Sequence, residues 1–167
     1  MLIKQHNHLF NLPIPKKFKI VYVWGKKLAL FANKQFKKEV VIIYLKGMIV
    51  DAADSTPEAV QVADKKFIDT KYLVVEDFIN HSCDPNTRLD IEKRQFIAIK
   101  DIHKNEEITF NYLTTEWDMK KWGDDFQCLC GSKNCFGHIK GFTYLTRAQK
   151  TVLKPLLSPF LLKQIEK

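Results

Sequence analysis

Short apolar runs separated by turn signals fill most of the chain. Ile20-Val21-Tyr22-Val23-Trp24, Leu28-Ala29-Leu30-Phe31 and Val40-Val41-Ile42-Ile43-Tyr44 are rich in β-branched and aromatic residues and predict strands. Gly25-Lys26-Lys27 and Lys37-Lys38-Glu39 predict the turns that join them. Tyr72-Leu73-Val74-Val75, Phe96-Ile97-Ala98-Ile99 and Glu107-Ile108-Thr109-Phe110 predict three more strands. A polar turn at Lys104-Asn105 separates the last two, and asparagine tolerates the positive φ such a turn needs. Residues 51–66 are more polar, and Ser55-Thr56-Pro57-Glu58 reads as a loop or the start of a short helix. The pattern is a chain of short strands with no βαβ alternation.

Only the C-terminal end has helical spacing. Thr146-Arg147-Ala148-Gln149 matches a capping box ahead of Val152, Leu153 and Leu156, and Ser158-Pro159 is an N-cap followed by proline at the first helical position. Two short helices are expected there, with their leucines packed over the sheet or over the cysteine-rich loop that precedes them.

A length of 167 residues suits one domain with its own core. With 46% hydrophobic and 28% charged residues, the chain has a globular balance, which excludes disordered, collagen-like and coiled-coil classes. No apolar run approaches the roughly 20 residues that span a bilayer, and the first residues lack the apolar stretch of a secretory signal. An intracellular protein, cytoplasmic or nuclear and without a membrane partner, is the expectation. The net charge of +8 points to acidic partners such as nucleic acid or nucleosomes. The lysines fall in scattered pairs near turns, however, so solvated loop ends explain them better than a binding stripe.

The four cysteines carry more chemistry. Cys128, Cys130 and Cys135 form a C-x-C-x4-C loop with Gly131 and Asn134 in its turn, and Cys83 lies far upstream. Intracellular thiols stay reduced, so a disulfide framework is disfavoured. A structural zinc ion takes four thiolates, and Cys83 is the cysteine left to complete the set.

Three segments occur in one order: Asn80-His81-Ser82-Cys83-Asp84-Pro85-Asn86, Glu106-Glu107-Ile108-Thr109-Phe110-Asn111-Tyr112, and the C-x-C-x4-C loop. In this the chain resembles the SET-domain protein-lysine methyltransferases, from about Phe18 to Phe142. The resemblance implies a mainly β fold with short helices, β-clip-like. Several small sheets and a pseudoknot would bring the first two segments together, followed by a post-SET zinc loop and C-terminal helices. It implies an N-terminal extension at 1–17, the SET domain at 18–115, the post-SET segment at 116–142 and a helical extension at 143–167. S-adenosylmethionine is the implied cofactor, held by Asn80, His81, Tyr112 and the Lys27-Leu28-Ala29 segment, which stands where the family has Gly-x-Gly. The implied zinc ligands are Cys83, Cys128, Cys130 and Cys135.

Tyr112 takes the family's catalytic position, with Tyr44 a second candidate for the lysine channel. Phe110 would act there as a size switch, since phenylalanine offers no hydroxyl to anchor a water that limits the product to one methyl. Glu106 and Glu107 are expected to be structural, because methyl transfer to a neutral amine has no need of them. Residues 51–75 are short for the insert that shapes a peptide groove. The implied substrate is an exposed lysine of a histone-like or other basic tail. Two other classes compete: a SET module that keeps fold and zinc but only binds a partner, and a small basic zinc protein that binds nucleic acid.

Overall fold

A computed structural model of the chain describes residues 12–25 and 27–165, apart from the Lys27 side chain. Strands β1 (Phe18–Val23) and β2 (Lys27–Ala32) form an antiparallel hairpin. Its turn contains Gly25 at φ 80, a left-handed conformation that suits glycine. Of the other two expected turn residues, Lys26 lies outside the described residues and Lys27 instead opens β2, paired with Val23. After β3 (Val41–Tyr44) come β4 (Met48–Asp51), β5 (Val60–Ala63) and β6 (Lys66–Asp69), which make a separate sheet in the order β4-β6-β5. Strand β7 (Asn80–His81) precedes β8 (Thr87–Asp90) and β9 (Gln95–Ala98), and β3 joins these two in the order β3-β9-β8. Strand β10 (Thr109–Phe110) pairs with β7 in parallel, and β11 (Phe126–Gln127) with β12 (His138–Ile139) antiparallel. The helices are α1 (Met119–Trp122), α2 (Arg147–Leu153) and α3 (Pro159–Ile165). Small sheets with a few short helices are the fold class expected.

Two stretches differ from the sequence pattern. Tyr72–Val75 is not a strand; Val75–Phe78 is a 3-10 turn, entered through an irregular segment. The Asp77 side chain accepts the Val74 N–H at 2.8 Å and the Asp77 N–H bonds back to the Val74 carbonyl, so a local side-chain bond outcompetes strand pairing. Residues 51–66, read only as a more polar stretch around a loop or helix start at Ser55–Glu58, also supply the end of β4, a 3-10 turn at Ala52–Asp54, all of β5 and the first residue of β6. The Thr56–Ala59 stretch remains a loop and walls a cavity described below.

The expected turn at Asn105 is present with φ 70, and the Thr146–Gln149 capping box closes with both reciprocal bonds. Ser158 Oγ accepts the Leu161 N–H at 3.4 Å at the start of α3.

Buried side chains gather in two cores. One, with Leu30, Ile42, Phe96, Ile102 and Ile108 among its members, lies between the strands. The other collects Leu113, Met119, Ile139 and Phe142 with Leu153, Leu157 and Leu161 of the C-terminal segment, around Cys128. The C-terminal leucines therefore do pack on the cysteine loop. Tyr112 packs against both cores.

Candidate functional site

The site starts from the β7–β10 pair, which sets Thr109 beside Asn80 and Phe110 beside His81. Asn86 clamps the two segments together. Its Nδ2 donates to the Glu107 carbonyl at 2.7 Å and to Glu106 Oε1 at 3.0 Å, while its Oδ1 accepts the Thr109 N–H at 2.9 Å. The Thr87 hydroxyl donates to the Thr109 carbonyl and the Ser82 N–H to the Phe110 carbonyl. On the other side, the Ile108 N–H donates to the Leu30 carbonyl and the Ala32 N–H to that of Glu106. Residues 106–110 thus run between β2 and the 80–87 segment, the juxtaposition a pseudoknot requires. Glu106 and Glu107 serve this scaffold as acceptors, Glu107 Oε1 for Asn80 Nδ2.

Tyr112 follows directly. Its hydroxyl donates to the Ile79 carbonyl at 3.0 Å, and its ring packs on Phe110 with centroids 4.8 Å apart. Burial holds the phenol well above its ordinary value, followed by the nearby Glu116 and Glu107 charges, so it stays protonated and its oxygen remains an acceptor. The Tyr112 N–H donates to His81 Nδ1 at 3.1 Å, which places the imidazole proton on Nε2, 3.3 Å from Cys83 Sγ. His81, Tyr112 and Phe126 meet edge to face.

The four cysteine sulfurs lie within 4.8 Å of one another. Cys83 Sγ is 3.8 Å from Cys128 Sγ and 3.9 Å from Cys135 Sγ. Those separations are far beyond a sulfur–sulfur bond of about 2.05 Å. They match the edge, about 3.8 Å, of a sulfur tetrahedron whose corners lie about 2.3 Å from a central zinc ion. The Phe136 N–H points at Cys83 Sγ and the Gly137 N–H at Cys135 Sγ, the donors that bound thiolates favour. The four residues form a cluster able to hold a metal ion.

Two cavities adjoin Tyr112. The smaller, of about 260 Å³, is bounded by Gly25, His81, Gln127, Cys128 and Leu129; the larger, of about 490 Å³, by the Thr56–Ala59 loop, Phe110 and Glu116. Asn80, Tyr112 and Phe126 line both. Asn80 Nδ2 is taken up by the Leu28 carbonyl and Glu107 Oε1, which leaves Oδ1 to accept from a cationic ligand group. A Cβ added to Gly25 would meet the Leu129 side chain at 2.9 Å, so glycine there lets the hairpin turn close against the cysteine loop.

The SET domain family model matches residues 27–113, more than half of the chain. The chain belongs to the SET-domain family. Over 66 residues it is 39% identical to "Methyltransferase flvH" of Aspergillus flavus, covering 38% of this chain and 35% of that one. Over 77 residues it is 42% identical to a "Histone-lysine N-methyltransferase, H3 lysine-4 specific" of Emericella nidulans, covering 42% of this chain and 6% of the relative. An H3 lysine-36 specific enzyme of Cryptococcus neoformans is 39% identical over 87 residues, 47% of this chain and 10% of the relative. The SET domain described here thus spans about a third or less of the relatives it matches. The fold is also similar to that of KRYPTONITE, crystallised with mCHG DNA and SAH, with a TM-score of 0.60, 21% identity, and coverage of 72% of this chain and 28% of that one.

Within this SET domain the expected residues divide. Asn80, His81, Phe110 and Tyr112 come together around the two cavities, and the four cysteines gather beside them, with Cys128 lining the smaller cavity and Cys83 in contact with His81. Leu28 contributes its carbonyl to Asn80, whereas Ala29 is fully buried in β2 and borders neither cavity. The Lys27 side chain lies outside the described residues. Tyr44 is 58% exposed and borders neither cavity, because the chain turns inward only at Leu45, which lines the larger one. Sequence reasoning passed over Gly25, Phe126 and the acids Glu76, Asp77 and Glu116. Glu76-Asp77 was the visible signal, an acidic pair set between Val74-Val75 and Phe78-Ile79 in an otherwise apolar run.

Proposed function

We propose that this SET domain is an S-adenosylmethionine-dependent protein-lysine N-methyltransferase acting on basic tails such as those of histones. The observation that carries this reading is Tyr112, whose half-buried side chain, its hydroxyl held by the Ile79 carbonyl, lines both cavities. The names of the fungal relatives support it, and with it a nuclear site of action.

The smaller cavity suits the cofactor. Asn80 Oδ1 would accept from its ammonium, His81 and Phe126 would supply apolar edges, and the Gly25 turn would approach closely. When bound, S-adenosylmethionine supplies a methyl group on a positive sulfonium. The larger cavity would admit the lysine. The amine must arrive neutral; burial lowers its affinity for the proton, which leaves to solvent. Tyr112 OH donates to Ile79 and offers its lone pairs to the reacting centre, aligning the amine without acting as a base. Phe110, between Phe96 and Tyr112, would set the room left for a methylated amine. Cys83, Cys128, Cys130 and Cys135 would bind one zinc ion, and the His81–Cys83 contact would tie that site to the cofactor cavity.

Calorimetry with S-adenosylmethionine, and mass spectrometry of histones and basic proteins incubated with it, test the reading. Tyr112→Phe should lower transfer roughly a hundredfold while cofactor affinity stays close to wild type. An unchanged rate would make Tyr112 structural. A wild-type chain that does not bind the cofactor would instead be a binding module that keeps only the fold.

A further inference from the structure

The larger cavity beside Tyr112 is acidic, although the chain carries a net charge of +8. Glu58, Glu76, Asp77, Glu116 and Asp124 line it, and among the described residues no lysine, arginine or histidine does. These carboxylates come from three places: the loop before β5, the 3-10 turn before β7, and the segment around α1. Burial pushes Asp77 up to about 6 and Glu116 up to about 7, and raises Asp124 as well.

Two of the acids have donors within the fold. Asp77 accepts the Val74 N–H, and Glu116 accepts the Gln61 N–H and the Thr115 hydroxyl. Glu76 is only half provided for. It is 4% exposed, its Oε1 accepts the Lys46 N–H at 2.9 Å, and its Oε2 is buried with no hydrogen-bond partner. A buried carboxylate oxygen without a donor costs the fold stability, and sites that keep such a cost are sites where a ligand can supply the donor. The last torsion of a glutamate is broad, so a modest rotation can turn Oε2 toward an entering donor while Oε1 keeps the Lys46 N–H.

We propose that Glu76 reads a second cation of the substrate, an arginine or lysine neighbouring the target lysine, while the target amine reaches Tyr112. This rests on the methyltransferase reading and narrows its substrate class. The chain itself couples the two positions. The Ile79 N–H donates to the Glu76 carbonyl, and the Ile79 carbonyl accepts the Tyr112 hydroxyl, each at 3.0 Å. A neighbouring cation is a better partner than the target amine, because a carboxylate paired with the target would hold its proton and oppose transfer. A guanidinium matches a carboxylate with two parallel donors.

The test uses short fluorescent peptides with a single lysine flanked by arginine, or by citrulline, which keeps the shape of arginine without its charge. Their binding to the whole chain is read by anisotropy. The arginine peptide should bind wild type roughly ten- to a hundredfold more tightly than the citrulline peptide. Glu76→Gln, which keeps an oxygen for the Lys46 N–H, should close that gap and leave the citrulline peptide's affinity unchanged. Glu58→Gln and Asp124→Asn, exposed acids of the same cavity, should preserve most of the gap, and they keep the assignment refutable if Glu76→Gln does not fold. Equal affinities in wild type, no binding of either peptide, a gap that survives Glu76→Gln, or one that closes in Glu58→Gln or Asp124→Asn would each overturn the assignment. Because binding is read without turnover, a chain inactive towards S-adenosylmethionine can still show the gap. A chain that methylates both peptides with equal affinity remains an enzyme and loses only the role of Glu76.

Discussion

The core between the strands and the core beneath α2 and α3 are stabilised differently. The first is apolar throughout and threaded by strand pairing, including the six-residue register of β1 with β2 and the β3-β9-β8 sheet. The second has little regular structure of its own: β11 and β12 pair over two residues each, and α1 has four residues. Elements that short contribute few backbone bonds and do not form alone. The cysteine cluster cross-links them to the rest, where Cys83 from the first two-thirds of the chain meets three thiols of the loop. A strand-paired core can stand by itself; a core of short pieces needs a cross-link, and Tyr112, packed on both, needs each of them.

The most severe break should come from the cross-link. Cys83→Ser, or a strong chelator, is expected to release one zinc ion, a contribution to folding on the order of 10 kcal/mol for small zinc sites. Amide exchange should then accelerate through residues 126–142 while β1, β2 and the β3-β9-β8 sheet stay protected. Stoichiometric metal in the variant, by elemental analysis, would mean that the site is not shared with Cys83.

A milder test falls on the seam. Glu116 accepts the Gln61 N–H of β5, and its own carbonyl accepts the Phe142 N–H of the second core. Burial pushes its carboxyl up from 4.5 to about 7. A folded-state value raised above the unfolded one gives stability that is full below the unfolded value and is lost as pH rises through about 7. Urea titrations should therefore show stability falling from about pH 5 to about pH 8, by on the order of 3 kcal/mol from this group. Glu116→Gln should flatten much of that slope, leaving the smaller contribution of Asp77, whose value is raised to about 6. An identical slope in the variant would place the titration elsewhere.

The smallest effect is expected at Phe110, in the strand core but in contact with Tyr112. With no hydroxyl to anchor a water, wild type should build di- or trimethyl product on long incubation. Phe110→Tyr should shift the mass spectrum toward monomethyl lysine, an effect of about 1 kcal/mol in partitioning. Exclusively monomethyl product from wild type would show that Phe110 sets no such limit.

The sequence by itself determined what local chemistry can encode. Short apolar runs between turn signals predicted β1, β2, β3 and β9, Asn105 its turn, and Thr146 with Gln149 the cap of α2. The three motifs were legible because each is a contiguous run whose residue types are constrained, and the cysteine count alone left Cys83 as the fourth thiol. Tertiary structure alone decided what depends on distant neighbours. Tyr72–Val75 is a different case, a stretch with the composition of a strand whose backbone the nearby Asp77 side chain captured in a turn, a competition between two local preferences that composition does not rank. Tyr44 and Leu45 are adjacent in sequence, but the packing of β3 exposes the first and turns the second to the cavity. The acidity of that cavity was invisible in a chain of net charge +8, because Glu58, Glu76, Asp77, Glu116 and Asp124 come from segments that only the folded chain brings together. Periodicity reports which face a residue prefers, whereas a site is a sum over contacts between elements far apart in sequence, and that sum exists only once the chain has folded.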